Sequence, residues 1–306
     1  MALAQVAHAQ PGGPAPDAGS TPSRRGHRAA PYLLLLPGLL WLTVFFAAPI
    51  LSLAGTSLQT REPGTLDRFV QTFRFANYLD YAQQYATQFG RSFLYAGIAT
   101  VAALLISYPL AYLIAFRAGR WRNLLLVLVV APFFCSFILR TLAWKQILGD
   151  DGFVVETLKT LHLLAPTQSL TATSFAVVAG ITYNFLPFMT LPLYSSLERI
   201  DPRLHEAGHD LYGNGFTVLL KVTLPLSMPG VVAGTMLTFI PAAGDFVNAA
   251  LLGRAPRTQM VGNVIEARFF GLVDYPAAAT LSFLLMTAIL VLVTLYVRRA
   301  GTEELV

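Results

Sequence analysis

The sequence predicts an all-α polytopic membrane protein with six transmembrane helices, and three observations predict it. Hydrophobic residues make up 55% of the 306 and charged residues only 12%, where soluble chains carry about 25% charged residues. Mean hydropathy is +0.58. So little charge cannot coat a water-facing surface of this size, whereas lipid needs no coat. The apolar residues also fall into long runs, and Lys and Arg gather in alternate connections between them.

Residues 1–30 are rich in Ala, Pro and Gly and lack apolar periodicity. They are expected to form a disordered cytoplasmic tail ending in the basic cluster Arg24, Arg25 and Arg28. The run from Tyr32 to about Leu58 exceeds the roughly 7–15 apolar residues of a signal-peptide core. It matches the ~20 that cross a bilayer, so it reads as an uncleaved first span. Residues 59–91 form a first outer loop whose Phe69, Phe73, Phe75, Tyr78, Tyr81 and Tyr85 suggest helical pieces at the membrane surface. Such aromatics form an interfacial belt or a contact surface for an outside partner.

Five further runs lie near Ser92–Phe116, Leu124–Leu148, Thr173–Leu197, Met228–Leu252 and Pro276–Val297. The membrane domain is set at 31–300, with 301–306 as a cytoplasmic C-terminal tail. Arg117, Arg120, Arg122, Arg298, Arg299 and the N-terminal tail fall on one face, which the positive-inside rule makes cytoplasmic. Asp150, Asp151 and Glu156 fall opposite. The net charge of +5 is thereby a topology signal, and no nucleic-acid partner is expected.

Within the runs, Pro109, Pro132, Pro187, Pro192 and Pro241 each remove a backbone donor and are expected to kink or break their helices. Lipid tolerates the freed carbonyls only where protein or a water-filled cavity satisfies them, which suits a transport path. Asp245 is an acidic residue deep in a late span. A carboxylate there is costly and faces a cavity or a partner, so it reads either as a cation contact in a translocation path or as a structural pair with another helix. Arg140 and Lys145 are long enough to snorkel to the interface. The single cysteine, Cys135, excludes an internal disulfide and a Cys-based metal cluster and reads as a small core residue.

The connection Asp201–Gly230 is polar, turn-rich and on the cytoplasmic face, and it can be read in two ways. His205-Glu206-Ala207-Gly208-His209 spells H-E-x-x-H: two histidines four apart share a helix face and could hold a metal, with Glu206 as general base. A third histidine is missing, since Tyr212 and Gly215 stand where the extended pattern needs Gly and His, and no histidine follows His209. A third ligand would have to be Asp or Glu; Asp245 and Glu266 are available, but nothing in their spacing selects them. The second reading uses more of the segment. Asp201 caps a short helix with Pro202 at its first position, Gly213-Asn214-Gly215 turns the chain, and Phe216–Val222 forms a second short helix before Pro225 and Pro229. The result is a rigid knob joined to two spans, which a partner can grip and move.

On these residues the chain resembles the membrane-spanning permease subunits of type I ABC importers. Their cytoplasmic loop carries Glu-Ala-Ala, three residues, Gly, and a Pro some thirteen residues on. Glu206, Ala207 and Pro225 match; Gly208 replaces the second alanine, and Tyr212 stands at the glycine position with Gly213 one place later. Further blocks are similar to the spermidine/putrescine permeases: Phe75-Ala76-Asn77-Tyr78-Leu79-Asp80, Ala131-Pro132-Phe133-Phe134, Leu186-Pro187-Phe188-Met189 with Leu191-Pro192-Leu193-Tyr194-Ser195-Ser196, and Gly262-Asn263-Val264-Ile265.

The resemblance implies the type I importer permease fold and a multi-pass subunit of the bacterial inner membrane with both termini cytoplasmic. It also implies two ATPase subunits, a second homologous permease and an extracytoplasmic substrate-binding protein as partners, besides membrane lipid. The chain lacks a G-x-x-x-x-G-K-S/T phosphate loop, so ATP and Mg belong to the ATPases; no cofactor, metal or catalytic residue is assigned to this chain. Glu206, Ala207, Gly208, Asp210, Gly213, Asn214, Gly215 and Pro225 are the candidate coupling residues. For a polyamine cargo, Asp245 is the candidate carboxylate, and Tyr183 and Tyr194 offer aromatic faces for cation–π contacts. The alternatives are another cargo (ferric iron, thiamine, sulfate or an opine), a membrane zinc protease, and a freestanding secondary transporter or receptor.

Overall fold

A computed structural model describes residues 30–300 apart from 63, 66, 67, 163, 166 and 167. The expected tails, with Arg24, Arg25 and Arg28, lie outside the described residues. The chain divides into two compact units at Leu51/Ser52. In the first, α1 (Ala30–Leu42) passes through a π-helical turn (Thr43–Ala47) into α2 (Ala48–Ser57), which the division cuts so that residues 52–57 count with the second unit. Leu36, Leu39, Leu40 and Phe45 are all more than half exposed, as side chains facing lipid would be. The stretch Leu35–Ser57 is long and apolar enough to cross a membrane.

In the second unit, a small antiparallel hairpin comes first, β1 (Gln59–Arg61) on β2 (Phe69–Gln71), with Thr60 opposite Val70. Next come α3 (Ala76–Gln84) and α4 (Ala86–Tyr112), the latter extended by a π-helical turn to Arg117. α5 (Arg122–Val130) and α6 (Phe137–Ile147) form one broken span, bent by 98°. α7 (Phe153–Thr160) precedes α8 (Ser174–Glu198). The 201–230 segment holds α9 (Pro202–Tyr212), α10 (Gly215–Val218), a π-helical turn (Leu219–Thr223) and α11 (Leu224–Leu226). α12 (Met228–Ala243), α13 (Val247–Leu252), α14 (Val261–Glu266) and α15 (Tyr275–Ala300) complete the unit. The all-α class holds, and among the described residues four unbroken helices are long and apolar enough to cross a membrane, or six spans if each of two bent pairs counts as one.

The core is the packing of α4, α8 and α12. Ser92, Ala96, Ala99, Ala103, Ser107 and Ala111 recur every three or four residues along α4 and are buried; small side chains at that spacing let backbones approach in the absence of a hydrophobic drive between helices. α12 meets α8 through Gly230 and Gly234. A Cβ at Gly230 would lie 2.5 Å from Ser196 Cβ, and one at Gly234 2.8 Å from Met189 Sδ. Hydroxyls add interhelical hydrogen bonds: Thr190 Oγ1 donates to Ser107 Oγ at 2.9 Å, and Tyr108 pairs with Ser227 at 2.9 Å.

Several expectations need correction. Leu124–Leu148 is not one helix: the chain is extended at Cys135 (φ −96°, ψ 144°) and Ser136, and Cys135 is exposed rather than a core residue. The prolines divide: Pro132 lies in the turn just before the Cys135–Ser136 break and Pro241 three residues before Gly244, whereas the other three do not end their helices. α4 and α8 run through Pro109, Pro187 and Pro192 unbroken, because one missing bond per proline is outweighed where a helix is packed along its length. The Met228–Leu252 run breaks at Gly244–Phe246. The second short helix of the 201–230 segment continues to Leu226, and only Ser227 separates it from α12, at a 68° bend.

The 59–91 segment, expected as the first outer loop, is also more ordered than a surface belt requires. Tyr78 hydroxyl pairs with Ser57 at 2.7 Å, Asn77 Nδ2 donates to the Ser57 and Gln59 carbonyls, and Arg268 bridges Tyr85 and Asp274. Burial, and then the nearby Asp274 carboxylate, hold the Tyr81 phenol above its ordinary pKa.

Candidate functional site

The coupling candidates lie together on one knob, and local sequence builds it. Asp201 Oδ1 accepts the Arg203 amide at 2.9 Å, capping α9 with Pro202 in its first turn. The helix ends at Gly213 with φ +64°, a conformation in which a Cβ crowds the backbone, and the Gly213 amide closes on the His209 carbonyl at 2.8 Å. Asn214 Oδ1 then accepts from Phe216 at 3.0 Å and starts α10. Three residues join α8 to α9 and one joins α11 to α12, so the knob has little slack against either span.

Gly208 sits where α9 crosses the second helix. A Cβ there would meet Val218 Cγ1 at 3.1 Å and Val222 Cγ2 at 3.4 Å, so replacing the resembled family's second alanine with glycine brings these helices closer. Tyr212, at the expected glycine position, lies under Lys221, whose Nζ is 4.8 Å from the ring centroid. Glu206, Ala207 and Asp210 are exposed, with Asp210 one turn beyond Glu206. Gly213, Asn214, Gly215 and Pro225 are exposed too. Leu211 and Phe216 at the tip are 77% and 65% exposed, a large apolar area for a polar segment. Behind the knob's base is a cleft of about 560 Å³ lined by Pro192, Ser195, Arg199, Asp201, Leu226 and Pro229 among others.

The His205 side chain lies outside the described ones. Among the described residues there is no group of three or more His, Cys, Asp and Glu that could hold a metal.

The path candidates are dispersed. Asp245 lies in the break between α12 and α13 and is 6% exposed. Its Oδ1 accepts the Asn248 amide and its Oδ2 accepts Asn248 Nδ2, both at 2.8 Å. Asn248 Oδ1 in turn accepts from Asn184 Nδ2 of α8 at 3.0 Å and Thr141 Oγ1 of α6 at 3.3 Å, and Asn184 Nδ2 also reaches Thr141 Oγ1 at 3.1 Å. Gly180 makes room for this knot, since a Cβ there would come 2.8 Å from Asn248 Oδ1. The buried Asn184 Oδ1 has no hydrogen-bond donor among the described residues.

Tyr183 is half-buried beside the knot, its ring centroid 5.4 Å from that of Trp144. Tyr194 lies eleven residues further along α8, roughly 16 Å at the helical rise. It is buried under Arg122, 5.2 Å from its ring, and Arg122 also pairs with Glu198. Asp245 and Tyr183 therefore share a neighbourhood that Tyr194 does not. Sequence reasoning missed Asn184, Asn248 and Thr141. The Asp-x-x-Asn spacing at 245–248 is that of a helix-start box and was available as a signal; for Thr141 no signal stood out.

Comparison with known proteins gives a consistent result. A family model described as "binding-protein-dependent transport system inner membrane component" matches residues 107–300. The spermidine/putrescine transport system permease protein PotB of Haemophilus influenzae is 37% identical over 259 residues, covering 84% of this chain and 90% of its own. PotB of Escherichia coli K12 is 34% identical, with 84% and 93% covered. The inner membrane ABC transporter permease protein YdcU of the same organism is 28% identical, with 89% and 90% covered. Among solved structures, a chain of a bacterial ABC transporter that imports the acidic polysaccharide alginate superposes with a TM-score of 0.64. It is 17% identical and covers 90% of this chain and 96% of its own, a likeness of fold.

Proposed function

The chain belongs to the family of binding-protein-dependent transport system inner membrane components, and on that premise we propose that it passes spermidine- or putrescine-type polyamines and is driven through the 201–230 knob. It is a permease subunit of an ABC importer and a multi-pass inner-membrane protein, a transport component and not an enzyme. Its proposed partners are two cytoplasmic ATPases, a second homologous permease and an extracytoplasmic binding protein. ATP and Mg are assigned to the ATPases, and both termini and the knob to the cytoplasm.

In the proposed cycle, ATPase closure pulls the knob. The exposed Leu211 and Phe216 supply apolar anchors, and Glu206 and Asp210 supply charge that sets register. Because α9 is capped at both ends and tied by short links to α8 and α12, displacement at the tip passes into the spans that pack through Gly230 and Gly234. The spans then exchange outward for inward access.

The similarity to relatives named for spermidine and putrescine carries the cargo reading. Asp245 with Tyr183 is the proposed cation contact beside the path, and Tyr194 a further aromatic face nearer the knob. In complexes reconstituted with the binding protein, Asp245→Asn should raise the half-saturating spermidine concentration about tenfold, the equivalent of about 1.4 kcal/mol. Unchanged uptake and concentration dependence would remove Asp245 from the path. Failure of the wild-type complex to take up any polyamine would overturn the cargo reading itself.

A further inference from the structure

Arg140 lies against the rings that flank its own helix start. It sits in the first turn of α6, just past the Cys135–Ser136 break, and helical side chains lean toward their helix's N-terminus. Its guanidinium accordingly runs back toward the break, with its carbon 5.9 Å from the Phe133 ring centroid and 5.6 Å from that of Phe137. Phe188 and Phe185 of α8 back those rings at 4.9 and 6.1 Å. Nε and Nη1 are both buried and have no hydrogen-bond acceptor among the described residues. None of the ion pairs among the described residues includes Arg140.

A guanidinium stays protonated at any physiological pH. Aromatic faces offset part of its lost hydration, but buried donors without acceptors are the costly case. In a membrane span such a group faces a cavity or an oppositely charged partner. We propose that Arg140, held between Phe133 and Phe137, is a binding site for a carboxylate that the described residues do not supply. A planar guanidinium matches a carboxylate through paired N–H donors. The carboxylate belongs either to a span of the second permease or to the cargo. The inference does not rest on the polyamine reading: putrescine carries no carboxylate, whereas its carboxylated analogue ornithine does.

The test uses the complete complex carrying Arg140→Met, which fits between the rings without charge, and Arg140→Lys, which keeps the charge. Two quantities are read: the fraction of complex that retains both permeases after detergent dilution, and the half-saturating putrescine and ornithine concentrations for stimulated ATP hydrolysis. Arg140→Met should lower the intact fraction at least fivefold, with Arg140→Lys keeping half or more, if the carboxylate is the second permease's. If it is the cargo's, assembly holds and the ornithine value rises about tenfold while the putrescine value stays fixed. Wild-type behaviour of Arg140→Met in both readouts overturns the proposal. So does damage from Arg140→Lys as great as that from Arg140→Met, because lysine loses the paired geometry but still neutralises a carboxylate that methionine leaves unpaired.

Discussion

The 201–230 knob and the break at Gly244–Phe246 both interrupt the run of spans, and they are built in opposite ways. The knob is held by residues two to fourteen apart: Asp201 with Arg203, Asn214 with Phe216, Gly208 against Val218 and Val222. Most of its surface is exposed. The break is held across more than one hundred residues, where Asn248 joins Asp245 to Asn184 and Thr141 in a buried knot. A locally built element can move as a unit without unmaking its own contacts. A knot that ties α6, α8 and α13 cannot move without breaking hydrogen bonds that lipid will not replace. For the proposed cycle, the difference suits the knob to being pulled and the knot to being the fixed point against which the spans would turn.

The sharpest way to break this contrast is to untie the knot. Asn248→Leu removes the side-chain donor to Asp245 Oδ2, leaving the backbone amide on Oδ1. It also takes the shared Asn248 Oδ1 acceptor away from Asn184 and Thr141, which keep Thr141 Oγ1 and the Phe137 carbonyl respectively. The expected loss is about 2 kcal/mol, the cost of leaving a buried polar group short of its partner, seen as an earlier midpoint when the complex is titrated with denaturing detergent. A midpoint as late as wild type would mean that the knot holds nothing. On the knob, Gly213→Ala puts a Cβ on a residue at φ +64° and should cost about 1 kcal/mol. The spans should stay folded, and the damage should show as more ATP hydrolysed per polyamine imported. If Gly213→Ala instead lowers the midpoint as much as Asn248→Leu, the knob is not a separate unit.

The same contrast explains what the sequence reveals. Fold class follows from apolar run length, and the knob follows from Asp201-Pro202 and Gly213-Asn214, because caps and turns act on their immediate neighbours. The 98° break at Cys135–Ser136 left no such trace. It lies in a continuous apolar run, and its nearest proline, Pro132, is of a kind that α8 twice absorbs without breaking. Asp245 was visible as a misfit, but its partners were not, since nothing local pairs residue 248 with 184 or 141. Arg140 was visible as a charge, and its direction depended on a break the sequence did not show.

Smaller effects sharpen the picture of the knob. Lys221→Ala removes the cation above Tyr212 and should cost about 0.5–1 kcal/mol. Coupling should suffer in proportion if that contact stiffens the α9–α10 crossing, and import per ATP at the wild-type level would show the contact to be ornamental.

The smallest change in stability should come from Glu206→Ala. The side chain is exposed and has no ion pair among the described residues, so the detergent midpoint should move by no more than about 0.5 kcal/mol. Coupling should nevertheless fall severalfold, because Glu206 and Asp210 lie on the exposed side of α9 and Gly208 on its buried side. A residue whose loss leaves the fold alone but uncouples hydrolysis from import acts on a partner. His209→Ala is the matched control. Its carbonyl, which receives the Gly213 amide, survives the substitution, so import per ATP should stay near wild type. The reverse ranking, with His209→Ala the more damaging, would return attention to the two histidines, and the metal content of the purified complex would then be the measurement to make.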